Sequence, residues 1–472
     1  MSVQKASPFT ESDAATEGLE STAGETLNNR PPFVGPTPVV GETDSLPNEI
    51  SGKISVQNLA HPHATSHGTY VMDFYDEFED LEGYQPGGFH PVHIGDTFGP
   101  SQRYRVINKL GFGGSSTVWL CRDTQGAGYV ALKIMIAELE EEKGTVQVDM
   151  ILKDLNRSLP GAEHIAMPLD SFYFDGPNGS HQCIVLPVLG PRVSSVSNFN
   201  LCRLLGKNPG RTLRKMAYQA ALAMKWLHTN GFCHGDFRPA NILIKLKSIN
   251  KLTEEELLSI LGDPRKATVH TESGEDLSAS TPRYLTYPVD ICRLGGKYLS
   301  KKICLVDFGE AFPISSPPSF IGIPMHYLPF DIMSDKEDAI GPASDIWALG
   351  CTLYEIRHQQ PLSYMITDPD EIMANTVRLF GKPPQALWDK WEGRGRFFDE
   401  QGKLLRGDPS EWSIEVAVKR PPEKRLSGLQ TRVNHKKERK LLADLLYQIL
   451  RHDPEQRLSL EAILAHGWFK LK

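Results

Sequence analysis

Two aspartates and an asparagine stand out by type and spacing. Asp236 and Asn241 lie in His234-Gly235-Asp236-Phe237-Arg238-Pro239-Ala240-Asn241, and Asp307 lies in Leu305-Val306-Asp307-Phe308-Gly309. A carboxylate followed five residues later by an amide oxygen suits a loop that orients an attacking hydroxyl, accepts its proton and holds a divalent cation. A second carboxylate after a short apolar run suits a metal that bridges two phosphates. Upstream, Gly111-Phe112-Gly113-Gly114-Ser115-Ser116-Thr117-Val118 falls between two strand-like runs, where glycines let backbone N–H groups approach phosphates. Ser116 replaces the third glycine of the usual pattern, and taken alone the stretch reads better as a plain hairpin. Lys133, in Val130-Ala131-Leu132-Lys133, follows Val118 by fifteen residues on a strand that aims an ammonium at phosphates. A surface lysine is the alternative, which the glycine stretch disfavours. The four motifs in this order point to phosphoryl transfer.

Elements that would position these groups follow from periodicity. From Tyr104 onward, YRVINKL, STVWLCRD and YVALKIM alternate like strands and predict an antiparallel sheet. After Gly190 the spacing turns helical: Leu213, Met216, Ala220, Ala223 and Leu227 share a face, and a second amphipathic helix covers Leu441 to Leu450. The fold class is α+β, with a small antiparallel sheet lobe and a mostly helical lobe. The expected division is a disordered extension over 1–83, a first lobe over 84–190 and a second lobe over 191–472. A polar interruption at 244–300, containing HTESGEDLSAST, reads as a partly flexible insertion between the two motif-bearing loops. In the extension, Asp76, Glu77, Glu79 and Asp80 form an acidic cluster, read as a solvated charge run in preference to a docking site for a basic partner.

Composition narrows the partners. Lys and Arg number 51 against 58 Asp and Glu, a formal charge of −7, so no basic surplus favours nucleic acid. Seven scattered cysteines without a CxxC pair fit reduced thiols rather than a disulfide frame or a zinc site. No apolar run reaches membrane-spanning length and the start MSVQKASPFT lacks a leader's apolar segment, so an intracellular, soluble protein with no membrane partner is expected.

Over about residues 90–472 these motifs resemble the eukaryotic protein kinase superfamily. Ser344-Asp345-Ile346-Trp347-Ala348-Leu349-Gly350 resembles the helix whose aspartate anchors the catalytic loop, and Asp453-Pro454-Glu455-Gln456-Arg457 with His466-Gly467-Trp468-Phe469 resembles the closing segment. Within the superfamily the nearest likeness is to the SR-protein-specific kinases. It rests on Gly87-Gly88-Phe89-His90-Pro91-Val92-His93-Ile94-Gly95-Asp96, on Ser116-Thr117-Val118-Trp119-Leu120-Cys121, and on Gly176-Pro177-Asn178-Gly179-Ser180-His181-Gln182-Cys183. The insertion also falls where that family carries its spacer.

The resemblance implies a monomeric serine/threonine kinase using ATP and Mg2+ on basic, Arg-Ser-rich proteins such as splicing factors, in the cytoplasm and the nucleus. It implies nucleotide contacts from Leu110, Gly111, Gly113, Ser116, Val118, Ala131 and Lys133, with Leu186 as gatekeeper and Pro187 to Leu189 bonding adenine through their backbone. Asp236, Lys133 and Arg238 would serve catalysis, and Asn241 and Asp307 the metal. The chain departs from the family at several positions. Val148 stands where the family carries the glutamate partner of the strand lysine, with Asp149 beside it and Glu138, Glu140, Glu141 and Glu142 nearby. Gly235 replaces the arginine that grips an activation-loop phosphate, Arg238 replaces a lysine, and Pro329-Phe330-Asp331 replaces Ala-Pro-Glu, leaving Asp331 to pair with Arg457. Asp368, Asp370 and Glu371 lie where the family docks basic substrates, and they would equally serve a helix N-terminus. The basic run Lys424, Arg425, Arg432, Lys436, Lys437, Arg439 and Lys440 reads as a solvated face rather than a nuclear signal. A nucleotide-binding pseudokinase scaffold and a small-molecule phosphotransferase are the competing readings.

Overall fold

The computed structural model describes residues 70–71, 78–126, 128–137, 152–194, 201–271, 273–334, 339–363, 366–419 and 436–471. Of the expected extension, 1–69 and 72–77 lie outside the described residues. The alternating runs after Tyr104 form a six-stranded antiparallel sheet: β1 (Thr97–Phe98), β2 (Tyr104–Gly113), β3 (Ser116–Asp123), β4 (Gly128–Ala137), β5 (Asp170–Gly176) and β6 (Gly179–Pro187), in the order β1-β2-β3-β4-β6-β5. Val106, Trp119, Leu132, Ile134 and Val185 fill one face of it, consistent with the period of two along each strand.

Downstream, β7 (Leu189–Arg192), β8 (Ile242–Leu246) and β9 (Leu299–Leu305) form a second antiparallel sheet, ordered β9-β8-β7. Helix α1 (Pro209–Thr229) buries Leu213, Met216, Ala220, Ala223 and Leu227, the stripe that the sequence predicts. It packs on α3 (Pro342–His358), whose Trp347, Leu349 and Leu353 share the same core. The sheet-rich first part and helical second part make the two-lobed kinase fold.

The described residues of the insertion are built into the folded body, where a partly flexible segment was expected. Its helix α2 (Glu254–Leu261) is too short to persist alone. A reciprocal cap between Thr253 and Glu256 starts it, and burial of Leu257 and Leu261 contributes about 1.5–3 kcal/mol each. These leucines, with Ile249 and Leu294, cover Ile107, Leu120 and Tyr129 on the sheet. Further along, Ala267, Val269 and Leu285 pack against Phe78, Leu81, Tyr84 and Phe89. The folded body therefore begins before residue 84, and the 1–83 boundary is corrected at its end. Within the acidic cluster Glu79 is also not solvated: it is buried, ion-paired with buried Lys109, and accepts the Tyr84 hydroxyl at 2.5 Å. Burial pulls the Lys109 ammonium below its ordinary value, and the charge and hydrogen bond of Glu79 oppose that shift.

Candidate active site

The ladder between β8 and β9 sets the two chemistry-bearing loops side by side. Ile242 pairs with Leu305 and Leu243 with Cys304, so Asn241 and Val306 emerge at the same end, tied by Val306 N to Asn241 O at 2.9 Å. Asp345, at the start of α3 and fully buried, fixes the first loop from beneath by accepting the backbone N–H groups of His234 (2.7 Å) and Gly235 (3.1 Å). His228 Nε2 also contacts it at 2.9 Å. Burial favours the neutral acid, yet the bonds from His228 and His234 prevail and hold the Asp345 carboxyl below its usual value. His228, Cys233 and Asp345 cluster closely enough for a metal, but the Asp345 oxygens are already committed to these donors. His234 reaches across to Val306 O at 3.2 Å and closes the frame.

Gly235 has a local cause. Its φ is +76°, and a Cβ there would stand 2.1 Å from Glu310 O, so glycine alone lets this turn pass the second loop.

On this frame Asp236 sits between two donors. Arg238 Nε donates to its Oδ1 at 2.7 Å and Asn241 Nδ2 to its Oδ2 at 2.7 Å. Asn241 Nδ2 also donates to Asp236 O at 2.9 Å, which leaves the amide Oδ1 as an acceptor. Asp307 adopts a left-handed φ of +62°, uncommon outside glycine, and its Oδ1 accepts Lys133 Nζ at 2.8 Å. Burial pushes the Asp307 carboxyl up, while the charge and hydrogen bond of Lys133, with His234 and Arg238, outweigh it and leave the value lowered. Asn241 Oδ1 and the Asp307 carboxylate are hard oxygen donors of the kind a divalent cation takes. Val148 and its neighbours at 138–151 lie outside the described residues.

Lys133 and Asp307 occupy the inner end of a cleft of about 670 Å³. Leu110, Gly111, Gly113, Ser116, Val118, Ala131, Leu186, Pro187 and Leu189, all assigned to nucleotide from sequence, line that one cleft, and Asn241 joins them. Asp236 and Arg238 stand beside it through Asn241. Sequence reasoning missed Pro288 to Cys292, from the insertion, which line the same cleft. Only the apolar pair Val289 and Ile291 near the end of a polar segment hinted at them.

Other departures resolve individually. Asp331 and Arg457 do pair, at 2.6 Å with neither side chain exposed. Asp368 starts helix α4 (Pro369–Phe380) by accepting Asp370 N at 2.9 Å. Arg396 pairs with Asp368 (2.7 Å) and Asp370 (2.9 Å), and Arg378 pairs with Glu371, so all three acids are matched within the chain. Lys424, Arg425 and Arg432 lie outside the described residues, and Lys436 to Lys440 form the first turn of helix α5 (Lys436–Ile449). All seven cysteines are buried, and none forms a disulfide among the described residues. No described helix is long and apolar enough to cross a membrane.

A protein kinase domain profile matches residues 104–254 and 297–469, and this chain belongs to that family. The unmatched stretch, 255–296, falls within the insertion. A serine/threonine protein kinase of Aspergillus fumigatus is 26% identical over 400 residues, 83% of this chain and 90% of that protein. Human SRSF protein kinase 3 is 37% identical over 174 residues, 36% of this chain and 30% of that protein. A crystal structure of a kinase domain superposes with a TM-score of 0.52 at 19% identity, covering 80% of this chain and 98% of the other, which shows the shared fold. The chain is accordingly a serine/threonine protein kinase of the SR-protein kinase type.

Proposed function

We propose that this kinase transfers the γ-phosphate of ATP to serines in basic, Arg-Ser-rich proteins, with magnesium as the metal. The observation that carries the assignment of roles is the bonded series Arg238, Asp236 and Asn241 set against Lys133 and Asp307 at the inner end of the cleft. Asp236 orients the attacking serine and accepts its proton, and its contacts to Arg238 and Asn241 hold the carboxylate in one rotamer. Lys133 would hold the α- and β-phosphates, and Arg238, bonded to Asp236, would lend its charge to the transferred group. Asn241 Oδ1 and Asp307 would hold magnesium, which supplies charge neutralisation across the β- and γ-phosphates when bound. Val118, Ala131 and Leu243 line the cleft with apolar surface for adenine, and the backbone of Pro187 to Leu189 would bond it.

Support for the substrate class comes from the relatives named as SRSF protein kinases and from Gly235, which removes the arginine needed to read a loop phosphate and favours a constitutively poised enzyme. The test is transfer of label from ATP to an Arg-Ser repeat peptide, beside a Lys-Ser repeat peptide and an Asp236→Ala variant. Transfer should fall at least 1,000-fold in the variant, while nucleotide affinity stays within about threefold. Equal rates on the two peptides would refute the Arg-Ser preference, and persistent transfer in the variant would refute the role of Asp236.

A further inference from the structure

One wall of the nucleotide cleft comes from the insertion. Pro288 runs parallel to Lys109, and Val289 N donates to Lys109 O at 2.8 Å. The segment is thereby laid alongside Leu110 and Gly111, at the entry to the glycine stretch. Leu285 on one side and Leu294 on the other are buried in separate apolar clusters, so both ends of the segment are anchored. It reaches the cleft beside Leu189, Gly190, Pro191 and Arg192, the stretch leading out of the adenine-facing strand.

Among the described side chains that line the cleft, two are carboxylates, Asp307 and Asp290. Asp307 accepts Lys133 and belongs to the phosphate end. Asp290 belongs to the insertion's wall, at the other end. Between adenine and phosphates a nucleotide presents two ribose hydroxyls, which are donors that need an acceptor once water is displaced. Leu189 to Arg192 bring no acceptor side chain there. Asp290 Oδ1 accepts Cys292 N at 3.0 Å, which fixes the carboxylate in orientation, and Oδ2 has no partner among the described residues. We propose that Asp290 is a nucleotide-binding residue, its free oxygen accepting hydrogen bonds from the ribose hydroxyls of ATP. The insertion thereby forms part of the ATP site. This rests on the reading of the cleft as an ATP site.

The test compares ATP with 2′,3′-dideoxy-ATP, both with magnesium, by calorimetric titration of the full chain and of Asp290→Asn. Asparagine keeps the Oδ1 bond to Cys292 and replaces the free oxygen with a donor, so the local turn persists. ATP should bind the variant about tenfold more weakly, as expected for losing a hydrogen bond to a charged group. Dideoxy-ATP should bind both proteins equally, which also shows that the variant is folded. Asp290→Ser, which caps equally well but is too short to reach the ribose, should repeat the result. If both nucleotides weaken alike, or ATP does not weaken, Asp290 makes no ribose contact. If the unaltered chain binds neither nucleotide, the ATP reading itself fails and this assignment fails with it.

Discussion

His452 should make the protein acid-sensitive through a single buried ring. Its Nε2 donates to Gly381 O at 2.8 Å, and its Nδ1 is buried with no hydrogen-bond partner among the described residues. The ring packs against Phe330 at 5.5 Å between centroids and against Trp347 at 6.4 Å. A second proton would place an unsatisfied N–H among these rings, close to Arg457. Burial, partly opposed by the Gly381 bond and reinforced by the Arg457 charge, takes the imidazole down to about 4. In the unfolded chain it titrates near about 6.5. Below that value the unfolded state binds a proton that the folded state refuses, so this contribution is intact above about pH 6.5 and is lost as pH falls toward 4. The loss amounts to about 2 kcal/mol between pH 7 and 5, and about 3 kcal/mol by pH 4. Urea unfolding followed by tryptophan fluorescence at pH 7 and pH 5 measures it against His452→Gln. Glutamine keeps a donor for Gly381 and does not titrate, so the variant should lose about 2 kcal/mol less over that interval. His90, also held near about 4, is common to both proteins and cancels in the comparison. Equal losses in the two proteins, or an NMR titration midpoint near 6.5 for this ring, would refute the reasoning.

Breaking the Asp331–Arg457 pair should be costly, because both side chains are fully buried and Arg457 would keep an uncompensated charge. Asp331→Asn should lower unfolding stability by about 3–5 kcal/mol, and a loss below about 1 kcal/mol would contradict the role of the pair. Glu79→Ala should cost a similar amount by stranding Lys109, and adding Lys109→Met should restore most of it, measured by the same unfolding assay. Failure of the second substitution to restore stability would mean that Glu79 acts other than through Lys109. Gly235→Ala should destabilise by at least about 1–3 kcal/mol from the left-handed φ alone, because the added Cβ also meets the Glu310 carbonyl.

The sheet, the two loops and helix α1 were legible because each has a local signature. Alternation marks the strands, a stripe from Leu213 to Leu227 marks the helix, and Asp236, Asn241 and Asp307 stand in short motifs. Glu79 was not legible, since a charge run shows its average solvation and not that one member points inward. The order of the insertion was hidden for a related reason. Ile249, Leu257, Leu261 and Leu294 are too dispersed to look like a core, and they become one only when they meet Ile107, Leu120 and Tyr129 on the far side of a lobe that precedes them in sequence.

That placement changes what the insertion can do. A segment tethered only at its ends would leave the cleft mouth to solvent, but one anchored by Leu257, Leu261 and Leu294 and bonded to Lys109 O moves with the sheet. Lys109 stands two residues before Gly111 and is paired with Glu79, so leader, glycine stretch and insertion form one connected bracket beside the cleft. Strain placed anywhere in this bracket should therefore be felt by the nucleotide. Loosening it at Glu79, far from Asp236, should weaken ATP binding more than it slows transfer at saturating ATP.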